Sequence, residues 1–141
     1  MPDVLIASDE AWVRDEVGSV LSALPDTTVR EVVSGAAVVP AVKESLPDLV
    51  ILDLQIGNMG AMAVCLDLHL ERASGRAGYA PVLMLLDRRD DVFLARRSDA
   101  DGWLIKPVDP IRMRKAVTAL LEGGTYHDES YKPTTVPSES S

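Results

Sequence analysis

The stretch Pro47-Asp48-Leu49-Val50-Ile51-Leu52-Asp53 decides the fold. Pro47 and Asp48 break whatever precedes them. Leu49 to Leu52 are then apolar with no polar alternate, the pattern of a strand whose sheet is covered on both faces. The run ends on a carboxylate. Toward the N-terminus, Val4-Leu5-Ile6-Ala7 repeats the pattern and ends on Ser8-Asp9-Glu10. Toward the C-terminus, Pro81 opens Val82-Leu83-Met84-Leu85-Leu86, and Trp103-Leu104-Ile105-Lys106 makes another such run. Val29 to Val33, rich in valine, reads as the second strand of the five.

Amphipathic segments fill the gaps. Val13, Val17, Val20, Leu21 and Leu24 recur at helical spacing until Pro25-Asp26. Ala36 to Leu46 is the second helix, starting near Pro40 or kinked there. Met62, Cys65, Leu66, His69 and Leu70 mark the third, and Asp90 to Arg97 a short fourth. Asp109 caps the fifth, with Pro110 at its first position and Met113, Val117, Leu120 and Leu121 as its apolar stripe. Gly123-Gly124 ends it. Strand–helix alternation of this kind predicts an α/β fold, (βα)5, around a parallel sheet with helices on both faces. Residues 124–141, rich in Ser, Thr, Pro and acid, read as a flexible tail.

Composition sets the limits. The chain has 141 residues, 47% of them apolar, which suits one domain. Acids outnumber bases 22 to 14, for a net charge of −8, so no phosphate-neutralising nucleic-acid surface is expected. No polybasic run and no uncharged stretch of the ~20 residues that a membrane helix needs argue against a membrane role. A lone Cys65 allows no internal disulfide and fits a reducing cytoplasm.

In a doubly wound sheet, ligands bind beyond the carboxyl ends of the strands. The residues there are Ser8, Asp9 and Glu10, then Asp53, then Leu86 and Asp87, then Lys106 and Pro107. Carboxylates gathered at one rim repel unless a cation joins them. Oxygen donors without nearby His or Cys favour Mg²⁺ over zinc. An Asp beside Mg²⁺ and a Lys can act as nucleophile toward a phosphoryl group, because both cations offset the charge that gathers in transfer.

Ser8-Asp9-Glu10, Pro47 to Asp53, and Lys106-Pro107-Val108-Asp109-Pro110 together resemble the receiver domain of bacterial two-component response regulators, over residues 3–123. The family is similar in fold to the chemotaxis response regulator. The resemblance implies a flavodoxin-like, doubly wound five-stranded sheet in the order 2-1-3-4-5. It also implies that a sensor histidine kinase phosphorylates the strand-three Asp in a Mg²⁺-dependent reaction. The phosphorylated domain then signals to a downstream effector protein, through the face of the fourth helix, fifth strand and fifth helix. A homodimer through that face is also open. The chain is then a signalling module rather than an enzyme.

Residue by residue, the resemblance makes Asp53 the phosphoacceptor and Lys106 the phosphate-contacting Lys. Asp9, Asp53 and the carbonyl of Gln55 become the metal ligands. Trp103 takes the aromatic switch position, and Glu10 is an accessory acid. Three departures stand out. Arg14 fixes a register that puts Ser8 where the family has a second acid. Leu86 replaces the Ser or Thr that hydrogen-bonds the phosphoryl group and belongs to the switch region. Gly57 replaces a Pro, and Asp87 replaces a small residue.

Plainer readings stand beside these. Asp53 can cap a loop, Asp9 can cap a helix, Glu10 can serve a helix dipole, and Lys106 can be a solvated Lys. Trp103 reads equally well as plain core. The run of Arg88, Arg89, Arg96 and Arg97 among acids is a mutually paired face or a docking surface. Cys65 is a small core residue and His69 a packed or surface one. Two further functions compete with phosphotransfer signalling. One is a pseudo-receiver that docks without phosphorylation, favoured by Ser8, Leu86 and Asp87. The other is a phosphohydrolase of the haloacid dehalogenase type, disfavoured because Gln55 stands where its second acid belongs.

Overall fold

A computed structural model describes residues 2–55, 60–74, 80–106 and 109–128. Gly57 and Pro107, singled out above, lie outside the described residues, as does the chain beyond Asp128. The elements run β1 (Asp3–Ala7), α1 (Ala11–Ser22), β2 (Thr28–Val32), α2 (Val38–Glu44), β3 (Leu49–Asp53), α3 (Ala61–Ser74), β4 (Val82–Leu86), α4 (Val92–Arg97), β5 (Gly102–Ile105), α5 (Pro110–Leu121) and β6 (Tyr126–His127). The sheet is parallel throughout, in the order β2-β1-β3-β4-β5-β6. None of the described helices is long and apolar enough to cross a membrane.

The unbroken apolar strands have the cause inferred for them. Successive strand residues point to opposite faces, and here both faces are covered. Val4, Ile6, Leu49, Ile51, Leu83, Leu85 and Leu104 meet Val13, Val17 and Leu21 of α1 and Met113, Val117 and Leu120 of α5. Leu5, Ala7, Val50, Leu52, Val82, Met84, Leu86 and Trp103 meet α2, α3 and α4. Every residue of β3 and β4 is buried, so a polar side chain on either needs a partner inside the protein.

Local signals explain the helix ends. Asp109 accepts the Arg112 backbone N–H at 2.8 Å, and Pro110 opens α5 as the missing donor of a first turn permits. Pro40 sits in the first turn of α2, after a 3₁₀ turn over Gly35–Ala37, so the chain starts the helix there without a kink in mid-helix. Asp9 is not the cap of α1. Glu10 holds that position, and its side chain makes no capping bond.

One expectation needs correction. The sheet has six strands, not five, and residues 126–128, assigned above to a flexible tail, are docked on it. Tyr126 and His127 pair in parallel with Gly102 and Trp103. The next residue, Asp128, is 2% exposed. Its carboxylate accepts the Ile105 backbone N–H at 2.8 Å and forms an ion pair with Arg112. A two-residue strand has no periodicity to read. It forms because β5 offers unpaired main-chain groups and α5 offers a cation.

Candidate functional site

Asp53 closes β3, paired in register with Leu85 of β4, and is fully buried. A buried carboxylate is costly unless it is hydrogen-bonded and paired. Three neighbouring segments supply its donors. Ser8, just past β1 and also fully buried, donates its hydroxyl to Asp53 Oδ2 at 2.8 Å. The backbone N–H of Gln55 donates to Oδ1 at 3.1 Å. Lys106, just past β5, donates its ammonium to Oδ1 at 2.9 Å. The Ser and Lys are thus brought to one carboxylate from strands on either side of it.

Each partner is itself held. The Ser8 hydroxyl accepts the Glu10 backbone N–H at 3.1 Å, and Arg14 donates to the Ser8 carbonyl at 2.8 Å. The Lys106 backbone N–H donates to the Leu86 carbonyl at 2.8 Å, which extends the β4–β5 ladder to the base of the ammonium. Its Nζ also lies 2.9 Å from Asp87 Oδ1, so one ammonium bridges two carboxylates. Burial lowers the affinity of Lys106 for its proton. The hydrogen bonds it donates to Asp53 and Asp87 outweigh that, and the group titrates above its ordinary 10.5.

The remaining predicted residues divide. Asp9 and Glu10 are exposed at the same rim, beside Ser8. Gln55 is exposed next to Asp53. Leu86 is fully buried with Met84, Val92 and Trp103 and turns no donor toward the rim. Trp103 is 2% exposed, and its ring stacks on His127 at 4.1 Å between centroids with an interplanar angle of 6°. Arg96 lies 5.5 Å from the same ring, and Arg88 pairs with Asp91, so parts of the arginine run have partners within the protein. Cys65 is a core residue. Its thiol donates to the Ser98 carbonyl, and burial first, then Asp101 and Asp99, push it up to about 12.

Sequence reasoning passed over Trp12. It is 53% exposed on α1, and Lys106 Nζ lies 5.9 Å from the centre of its ring. The available signal was an aromatic next to the polar rim, off the apolar stripe of Val13 and Val17.

Among the described residues no group of three or more His, Cys, Asp or Glu side chains is set to hold a metal. The proposed ligands are two carboxylates, Asp9 and Asp53, and the Gln55 carbonyl, all oxygen. Mg²⁺ commonly takes one or two carboxylates and completes its shell with water. The donors fit it, with one carboxylate fewer because Ser8 stands beside Asp53.

The family model described as response regulator receiver domain matches residues 4–118. An uncharacterized response regulatory protein of Mycobacterium tuberculosis is 35% identical over 132 residues, 86% of this chain and 96% of that protein. The nitrate/nitrite response regulator protein NarL of Escherichia coli is 30% identical over 131 residues, 92% of this chain but 59% of NarL. In structure, the chain is similar to the chemotaxis response regulator CheY4 of Vibrio cholerae, with TM-score 0.74 and 21% identity over 85% of this chain and 98% of that one. The signal receiver domain of a histidine kinase from Syntrophus aciditrophicus gives TM-score 0.76 and 21% identity, over 96% and 97% of the two chains. At those identities the structural likeness bears on the fold alone.

Proposed function

The chain belongs to the response regulator receiver family, and from that premise we propose that it accepts a phosphoryl group on Asp53 and signals by contact with a protein partner. The observation that carries this reading is a fully buried carboxylate at a strand end, bound by an ammonium at 2.9 Å. A sensor histidine kinase is the proposed donor. A carboxylate oxygen of Asp53 attacks phosphorus, the P–N bond to the donor imidazole breaks, and the imidazole nitrogen keeps the electron pair. Lys106 neutralises charge on the transferred group, reaching it by turning from Asp53 or Asp87. Arg14 and the Gln55 N–H keep the β1 and β3 ends in place. Asp9, Asp53 and the Gln55 carbonyl would hold Mg²⁺, whose charge screens phosphoryl oxygens during transfer.

A second reading has its own support. Leu86 cannot donate a hydrogen bond to phosphate, and Asp87 adds a negative charge within reach of Lys106. Both favour a docking module that works without phosphorylation. Loss of one charge-assisted bond costs roughly 1.5–3 kcal/mol, a ten- to hundredfold effect rather than abolition. Slow phosphorylation is therefore the expected behaviour. The test is incubation with acetyl phosphate and Mg²⁺ followed by intact mass. One added phosphoryl group, absent in Asp53→Asn, supports the first reading. No added mass at any time leaves the docking module.

A further inference from the structure

Two glycines make room for β6. A Cβ on Gly102 would meet the Tyr126 carbonyl oxygen at 2.8 Å and the Tyr126 nitrogen at 3.3 Å, so only glycine lets the two backbones come this close. A Cβ on Gly124 would meet the Ala119 carbonyl at 3.2 Å. Gly123 has φ +88, a left-handed turn that reverses the chain off α5.

Three kinds of contact then hold the segment. The main chain contributes the Asp128 N–H to the Trp103 carbonyl at 3.2 Å, and a long Tyr126 N–H to the Asp101 carbonyl at 3.4 Å. The His127 ring covers the Trp103 indole. The Asp128 carboxylate takes the Ile105 N–H and the Arg112 guanidinium, whose Nε is steadied by Asp109 at 2.7 Å. These are the three elements of recognition by strand addition: main-chain pairing, a face for one side chain and a charge for the next. Among the described residues the buried Trp103 Nε1–H has no hydrogen-bond partner, a cost to the closed state.

We propose that the outer edge of β5 is a strand-docking site, filled in cis by Tyr126–Asp128, and that it takes an extended segment of the same chemistry, a ring followed directly by a carboxylate, once its own segment is released. The proposal does not rest on phosphorylation of Asp53.

The full chain carrying His127→Ala and Asp128→Ala is compared with wild type by amide exchange and by NMR titration. The probe is a six-residue peptide with the sequence of residues 123–128. In wild type the Ile105 amide is protected, and the peptide causes no shifts. In the double variant that amide exchanges at least about tenfold faster. The peptide then shifts the Trp103 indole and Ile105 amide signals at millimolar concentration, the order of the effective concentration that a short tether gives the cis segment. The same peptide with its Asp replaced by Ala does not. Gly102→Ala is expected to release the cis segment and also refuse the peptide. Four results overturn the proposal: a wild type that binds the peptide equally well, an Ile105 amide that stays protected in the double variant, a released edge that binds nothing, or a double variant that no longer folds, which makes β6 framework rather than occupant.

Discussion

Ser8→Asp tests the electrostatics of the site most directly. In the wild type a neutral hydroxyl donates to a fully buried carboxylate at 2.8 Å. The variant removes that bond, a loss of about 1.5–3 kcal/mol for a charged acceptor. It also sets a second carboxylate beside Asp53. Two unit charges ~4 Å apart at an effective dielectric near 20 repel by about 4 kcal/mol, part of which Lys106 offsets. A net loss of about 3–4 kcal/mol in EDTA is expected, a large share of the ~5–15 kcal/mol that holds a domain together. At about 3 °C per kcal/mol for a chain of this size, Tm falls by roughly 10 °C. Mg²⁺ offsets most of that loss. A ligand at 100 times its Kd returns about 2.7 kcal/mol, or roughly 8 °C, where the wild type gains less because it offers one carboxylate fewer. The assay is thermal unfolding of both proteins in EDTA and in a Mg²⁺ series. A variant as stable as wild type in EDTA, with no added response to Mg²⁺, refutes the account of Ser8 as the neutral substitute for an acid.

Lys106→Met removes the ammonium from a buried carboxylate and is expected to cost about 3–5 kcal/mol at neutral pH by denaturant titration. Because the folded Lys106 titrates above 10.5, its contribution is complete below that pH and fades as pH rises through the folded value. The stability gap between wild type and variant therefore holds steady up to about pH 10 and narrows beyond it. Leu86→Thr restores a donor at the end of β4. It is expected to raise the rate of acetyl phosphate labelling about ten- to hundredfold while losing about 2 kcal/mol of core burial, read by mass and by unfolding. The Cys65 thiol, held up at about 12, is expected to resist Ellman's reagent at pH 8 in the native protein and to react at the rate of unfolding.

The apolar strands were legible because burial on both faces leaves a run with no polar alternate, as in Leu49 to Leu52. The start of α5 was legible because Asp109 and Pro110 satisfy a helix end by local chemistry. Asp53 and Lys106 could be paired from sequence because strand ends at one rim converge in a parallel sheet. The sharing of Lys106 with Asp87 could not. It depends on the rotamer of an ammonium on a flexible stem, and spacing does not encode that. The plainer reading of Asp9 as the cap of α1 does not hold, since Glu10 takes that position without a capping bond. β6 lay furthest from view. Its partners are a backbone edge and an Arg of α5, set by the tertiary arrangement around two residues of no particular propensity.

A parallel sheet built by alternation ends in two open edges, and exposed edges invite other chains to add on. On β2 the rim is charged: Arg30 pairs with Asp3 and donates to the Ser45 carbonyl, and Glu31 lies 3.5 Å from Arg14. On β5 the rim carries Trp103 and Ile105, which are poor deterrents. The short β6 with its buried Asp128 closes that side with a carboxylate and an imidazole. An edge closed in this way offers fewer open main-chain groups to a second sheet.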